Sequence, residues 1–550
     1  MAGKHLPVMF LTILIAIPSL ALGQSQSPLF LSDIRDGFIP VCTAEGMEQH
    51  TSAVSDGIGG MIVGWYDDRN PYSPGLYIQR ITAAGEQAWA PDGVRFGFNP
   101  NGERYKYDLA SDGAGGAYIA YREGNADTVY VDYIDASGSL VWAQRSKYLL
   151  NGRLATSQLF LIPDQTGVSL VWNVQGHTNF QHFRKDGQLR FDIGGFSLGK
   201  KDRADAKPVP DGKGGLYFAE IHYRNPQRTN GHDIVLRHLD KDGKVIWANR
   251  IVRSCERTYC SLIPTLAYDE STHRLFVCCW GTRPEIESGE WDIYLHCFTG
   301  DGDVLWTSSG SIVSDAERRQ HNGTLVPTGD GGVILLWQDD RDIPRDSAER
   351  IIYAQKYSSA GQPEWPAGGV SVIAGYEANY PQAILDGKGG VYVVDYGTAH
   401  LQHVFSDGHT WDGDTATYLI SQHIVQHAKG LAISGMYDGD LYYVYLDTDG
   451  TVLSTPTMTP DPIPDNLSIH VYPQPARDRV SICMSSKRDT FLKVQLFDVL
   501  GRCVLRHNAE IHAQRTATTE IRTEDLPDGM YYLQVRGGSE YAHTRVIISR

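Results

Sequence analysis

Two short runs in the chain carry paired carboxylates beside a guanidinium, Trp65-Tyr66-Asp67-Asp68-Arg69 and Trp337-Gln338-Asp339-Asp340-Arg341. Two adjacent carboxylates can hold calcium or do acid–base work on a glycoside. The same pattern also describes an Arg–carboxylate pair that pins its own loop. The pinning reading is favoured because the run recurs with a repeat, whereas catalytic groups normally converge from different places in a fold. The adjacent thiols Cys278 and Cys279 sit inside Arg274-Leu275-Phe276-Val277-Cys278-Cys279-Trp280, where alternate side chains of a strand face opposite neighbours and packing alone accounts for both. The 19 histidines contain no His-Glu-x-x-His motif, and His403 and His409 read as loop or core residues. There is no P-loop and no Gly-x-Ser-x-Gly elbow. On this inventory no catalytic residue, cofactor or metal site is assigned.

The elements around these residues repeat. Asp-Gly-x-Gly-Gly occurs at 56–60, 112–116, 211–215 and 386–390, and worn copies lie at 164–167, 269–274 and 329–332, with a fainter one ending at Gly430. Each copy is followed by a run apolar on both faces, such as GMIVGWY or GVILLWQ. A second marker is a glycine at 85, 138, 187, 243, 302, 361, 408 and 450, usually with an aromatic residue four positions later: Trp89, Trp142, Phe191, Trp247, Trp306 and Trp365. Trp411 comes one residue early, and Gly450 has no such partner. Two markers in step, 42 to 59 residues apart, describe eight four-stranded units that cannot bury both faces alone. The expectation is an all-β chain, a seven- or eight-bladed β-propeller followed by a small Ig-like β-sandwich. Residues 39–44 align with a segment joining two later units and are expected to form the outer strand of the last blade, closing the ring.

Composition sets the compartment. Lys4 precedes an apolar run from Leu6 to about Ile17, then Ala21 and Gly23, so residues 1–23 read as a secretory signal peptide cut before Gln24. No later segment offers about 18 uninterrupted apolar residues, so no membrane span is expected in the mature chain. The net charge of −16, or −17 without Lys4, argues against nucleic acid as a partner. Among eight cysteines, Cys255 and Cys260 are the pair a short loop could bring together as a disulfide, with two free thiols the equal alternative. Residues 24–454 are assigned to the propeller and the proline-rich 455–466 to a linker.

Residues 40–455 resemble the glycine-rich, Trp-Asp-Asp-Arg-containing repeats of secreted propeller proteins of Bacteroidetes-type bacteria; the likeness implies a fold and carries no active site. The vicinal thiols with Gly-x-x-x-Trp are similar to a feature of quinoprotein dehydrogenase propellers, but the calcium and quinone ligands are not recognisable. The turns are one residue longer than a sialidase Asp-box. Residues 467–550 resemble the type A C-terminal sorting domain of the type IX (Por) secretion system at Tyr472, Pro473, Pro475 and Ala476 (with Gln474 for the usual asparagine), at Gly501 after LFDVL, and at Gly529 and Tyr531 in LPDGMYYLQV. That resemblance implies periplasmic transit, export by the outer-membrane secretion machinery and an extracellular or cell-surface location.

The expected function is a secreted binding or scaffold module. The alternative is an extracellular hydrolase acting on carbohydrate, of glycosidase or lyase type, marked by carboxylates converging at one mouth of the central channel. A glycan or protein ligand is expected on the variable loops, which bring Tyr72, Tyr223, Arg224, Arg283, Trp291, Arg341 and Arg345 to one side of the ring.

Overall fold

The computed structural model describes residues 38–447 and 467–549, apart from 43, 45–47, 71–73, 97–106, 123–127, 143–145, 150–158, 175–176, 193, 201–206, 224–231, 256–263, 283–290, 308–309, 315, 342, 344–348, 377–380, 396–399, 412–418, 428–429, 438–439, 473–475, 487–489, 498–502, 512–515, 525, 528 and 538–539. The described regular elements are all strands. Eight antiparallel sheets form the propeller. The first is built from Glu48–Ser55, Met61–Asp67, Gly75–Ile81 and Val94–Phe96 in that order. Its second strand is buried along its whole length, as a strand between two blades must be.

The sheets form a closed ring. The innermost strand of each blade touches that of the next, and Glu48–Ser55 of the first blade touches Ile420–His427 of the eighth. The hydrophobic clusters lie between blades: Ile62, Leu76 and Ile78 of the first pack with Leu109, Ala117 and Ile119 of the second, while Met61, Val63 and Trp65 pack with Val425, Ala432 and Leu441 of the eighth. Ile39–Pro40 is the outer strand of the eighth blade, paired antiparallel with Asp440–Asp447. Val41 extends the pairing by donating its N–H to Leu441 O.

The glycine and the tryptophan of the second marker form one device. The indole Nε1–H of Trp89 donates to Ala136 O of the next blade, and Trp142, Trp247, Trp306 and Trp365 donate likewise to Lys185, Gly300, Ser359 and Ser406, all at 3.0–3.2 Å. The ring of Trp365 lies over Gly408, where a Cβ would come within 2.8 Å of it, and Trp306 lies equally close over Gly361. The glycine therefore does two jobs: it takes a positive φ in its own turn and leaves room for the neighbour's indole. At the closing seam tyrosines replace tryptophan. Tyr443 and Tyr445 donate their hydroxyls to Gly85 O and Thr82 O, and His423 and His427 donate to Thr51 O and Ala83 O.

Residues 467–549 form two sheets, one of Leu467–Tyr472, Arg479–Ser486 and Thr516–Arg522, the other of Cys503–Ile511, Thr490–Phe497, Gly529–Gly537 and Glu540–Ile548. Val480, Ile482 and Ile521 from the first share one core with Leu492, Val494, Leu496, Tyr531, Leu533 and Val546 from the second, so the pair is a sandwich.

Candidate functional site

Within each blade the antiparallel strands put the Asp-Gly turns and the Gly-x-x-x-Trp turns on one face of the ring, and the variable loops with the interblade connections on the other. Both Trp-x-Asp-Asp-Arg runs sit at the variable-loop face. In the first blade Trp65 Nε1 donates to Asp67 Oδ2 at 3.0 Å, Arg69 N donates to Asp67 Oδ1 at 2.7 Å, and the Arg69 guanidinium donates to Asp67 Oδ2 at 2.5 Å and Asp92 O at 3.0 Å. The sixth blade repeats this with Trp337, Asp339, Arg341 and Gly368 O. Each guanidinium also lies over a tyrosine, Arg69 over Tyr77 and Arg341 over Tyr353. The leading carboxylates, Asp67 and Asp339, are thus occupied by their own blade. Arg341, expected among the ligand-binding residues, spends its guanidinium inside this lock.

The two locks differ in two side chains that flank the Asp–Arg pair, besides Asp92 against Gly368, each of which accepts through its backbone oxygen. Where Arg341 Nη2 donates to Ser314 Oγ at 2.9 Å, Arg69 Nη2 approaches Cys42 Sγ at 3.1 Å. Where Gln320 pairs across the strands with Asp339, Glu48 pairs with Asp67. Gln320 is held through its Nε2 by Ala316 O and Arg318 O, whereas neither Glu48 oxygen completes a hydrogen bond among the described residues. Glu48 is 2% exposed. Burial pushes its carboxyl up to about 8, with the adjacent Cys42 thiol opposing and the Asp67 charge adding to the shift. Burial, reinforced by Glu48, also raises the Cys42 thiol well above its ordinary range. Neither Cys42 nor Glu48 was singled out by the sequence; comparing the connections ahead of the two runs, Cys42 against Ser314 and Glu48 against Gln320, is the signal that finds them.

The opposite face is structural. Asp56, Asp112, Asp211 and Asp386 each accept two backbone N–H groups of their own turn. Their second oxygens take Arg80, Tyr133, His238 and His403. His403 is a core histidine held down by burial against the pull of Asp386, and His409 is an exposed loop residue bonded to Asp407. Cys278 and Cys279 are free thiols facing different interblade clusters. Cys255 ends a described strand without a described side chain, and Cys260 falls outside the described residues.

Of the expected loop residues, Tyr72, Arg224, Arg283 and Arg345 lie outside the described residues, and Tyr223 is described only as a strand position. Trp291 opens Trp291–Thr299 in the fifth blade. Its ring is 4.6 Å from Trp280 and 6.1 Å from His321, and the Arg319 guanidinium lies 4.7 Å from its centroid. Its Nε1–H is buried without a hydrogen-bond partner among the described residues. Arg341 and Trp291 therefore share the loop face but not one cluster. The central channel holds a cavity of about 570 Å³ lined by residues of the first five blades, among them Val54, Leu109, Phe160, Pro208 and Leu266. Lys207 is the charged residue in that lining. Asp108 stands near it, its carboxyl raised by burial against the opposing charge of Lys207, and accepts the Leu161 N–H at 2.7 Å.

In the C-terminal sandwich Ala476 is buried, bridges to Ile548 and accepts the Ser549 N–H. Tyr531 is buried and donates its hydroxyl to Pro527 O at 2.7 Å. Gly529 begins the strand that carries Tyr531, Tyr472 ends Leu467–Tyr472, and Pro473, Pro475 and Gly501 lie outside the described residues. The family model described as a secretion system C-terminal sorting domain matches residues 470–549. Those residues are a type IX sorting domain. The sorting domain marks the chain for export by type IX secretion to the cell surface or extracellular space, and it is the part that engages the secretion machinery. No helix among the described residues is long and apolar enough to cross a membrane.

No curated protein matches the chain. Solved structures similar to it include the Dos1 propeller (10% identity, 76% of this chain and 96% of that one, TM-score 0.35). Also similar are a protein of unknown function from Dyadobacter fermentans (10% identity, 68% and 97%, TM-score 0.31) and a puromycin hydrolase mutant (14% identity, 83% and 60%, TM-score 0.38). The chain thus spans 60% of the length of that hydrolase.

Proposed function

We propose that this exported propeller is a binding or scaffold module that recognises a glycan or protein ligand on its variable-loop face. The observation that carries the reading is the group around Trp291: two indoles in contact, a guanidinium over one of them, and a buried indole N–H with no partner among the described residues. Aromatic rings and arginine are the groups most often found as binding anchors, since they bury large area with few rotatable bonds. The described strand ends next to the segments with Tyr72, Arg224, Arg283 and Arg345, Tyr223 among them, lie at that face. Two of the carboxylates a hydrolase could use, Asp67 and Asp339, are bound by their own arginines, and the described lining of the channel cavity contains no carboxylate pair. The division of labour we assign is signal 1–23, propeller 24–454, linker 455–466 and sorting domain 467–550.

Glycan and peptide arrays probed with the full chain and with Trp291→Ala test this. Binding that falls at least tenfold in Trp291→Ala is expected. Binding unchanged in the variant moves the site elsewhere, and cleavage of a polysaccharide by the unmodified chain overturns the reading in favour of a hydrolase.

A further inference from the structure

The first and sixth blades build the same lock from the same Trp, Asp, Arg and Tyr, so two flanking side-chain positions at which they differ form an internal comparison. The sixth blade fills them with neutral groups, Ser314 and Gln320. The first fills them with Cys42 and Glu48, adding a thiol and a second carboxylate to Asp67. One ligand atom from each of Cys42, Glu48 and Asp67 lies within 4.8 Å of the others, and all three residues are buried. Glu48 is 2% exposed, and neither of its oxygens completes a hydrogen bond among the described residues. A buried carboxylate whose neighbours are a weakly donating thiol and the like charge of Asp67 is costly unless a cation or proton satisfies it. Arg69 does not do so: its described hydrogen bonds go to Asp67, Cys42 and Asp92 O, and its plane lies over Tyr77.

We propose that Cys42, Glu48 and Asp67 form a binding site for a divalent thiophilic cation of the zinc type. The donor set is one thiolate and two carboxylates, which zinc accepts and which magnesium and calcium, preferring oxygen alone, do not. Tetrahedral zinc–sulfur and zinc–oxygen bonds place sulfur and oxygen ligands about 3.5 Å apart. Cys42 Sγ and Asp67 Oδ2 stand 3.9 Å apart, so a small rotation of the side chains suffices. Three anionic ligands and the Arg69 cation sum to −2, which one divalent ion neutralises. Binding releases the thiol proton of Cys42 and any proton on Glu48 to solvent.

The location gives the ion a task. Cys42 follows Ile39–Pro40, the strand that completes the eighth blade, while Glu48 and Asp67 belong to the first blade. An ion held by all three ties the closing segment to the blade beside it, at the junction where the two ends of the propeller chain meet. Such an ion binds the closed ring and not the unfolded chain, and so raises the unfolding midpoint.

Cobalt(II) serves as the spectroscopic probe, added to the full chain after treatment with chelator, with zinc as competitor. One equivalent should produce a thiolate-to-cobalt charge-transfer band that zinc abolishes, and zinc should raise the thermal midpoint. Cys42→Ser should lose the band, and Glu48→Gln should weaken cobalt binding at least tenfold. Both variants should fold, because together they recreate the lock of the sixth blade, and their circular dichroism should match the unmodified chain. No band in the unmodified chain, or a band that persists in folded Cys42→Ser, overturns the proposal.

Discussion

Replacing Gly408 by alanine isolates the device that fastens one blade to the next. Gly408 has φ +88°, and an added Cβ would lie 2.8 Å from the Trp365 ring. Gly387, in the same blade, has φ +73° and nothing within 4 Å of the corresponding position. Both substitutions force an L-residue into the left-handed region, at about 1–2 kcal/mol each. Only Gly408→Ala also displaces the indole, which loses its hydrogen bond to Ser406 O and part of its burial. The bond contributes about 1 kcal/mol, and the displaced ring adds about 1 kcal/mol more. Gly408→Ala should therefore destabilise the propeller by about 1–2 kcal/mol beyond Gly387→Ala, read from urea-unfolding midpoints. In a Trp365→Ala background the excess should vanish, because the partner is gone. Equal losses for the two alanine variants, within about 0.5 kcal/mol, would refute the docking role of the glycine.

The closing seam makes its own predictions. His423 accepts from Gln382 and donates to Thr51 O, so it is neutral in the ring, and burial lowers it from 6.5 to about 4. The unfolded chain then binds the extra proton, so this contribution is complete above pH 6.5, falls as pH drops toward 4 and is flat below. His423→Gln should flatten that part of the stability–pH curve, and an unchanged slope would count against the assignment. Tyr443→Phe removes the hydroxyl bonded to Gly85 O and should lower stability by about 1 kcal/mol in urea unfolding, leaving the unfolding slope unchanged.

The architecture was legible because its signals are local and periodic: each Gly-x-x-x-Trp turn carries both halves of a joint, glycine for the preceding blade's indole and tryptophan for the next. The sequence left the ring at seven or eight blades, and the sheets settle it at eight. The joint at the last junction was not legible. Gly450 lacks a tryptophan, and the substitutes, Tyr443 and Tyr445, sit on the preceding strand, where an alternating aromatic pattern looks like ordinary core. The Asp67–Arg69 and Asp339–Arg341 pairs are readable in the sequence, since the arginine is two residues from its aspartate and their encounter is decided locally. Cys42 and Glu48 escaped because burial and the ring closure bring them to Asp67 from 25 and 19 residues away, and no local pattern encodes that.

Export followed by recognition is the centre of this account, and the sorting domain is the part whose removal separates the two. In a host with a type IX secretion system, the full chain and a chain ending at residue 454 can be followed by fractionation together with limited proteolysis. The full chain is predicted outside the outer membrane, and the shortened one in the periplasm with a folded, protease-resistant propeller. A shortened chain that reached the medium as efficiently as the full one would contradict the account.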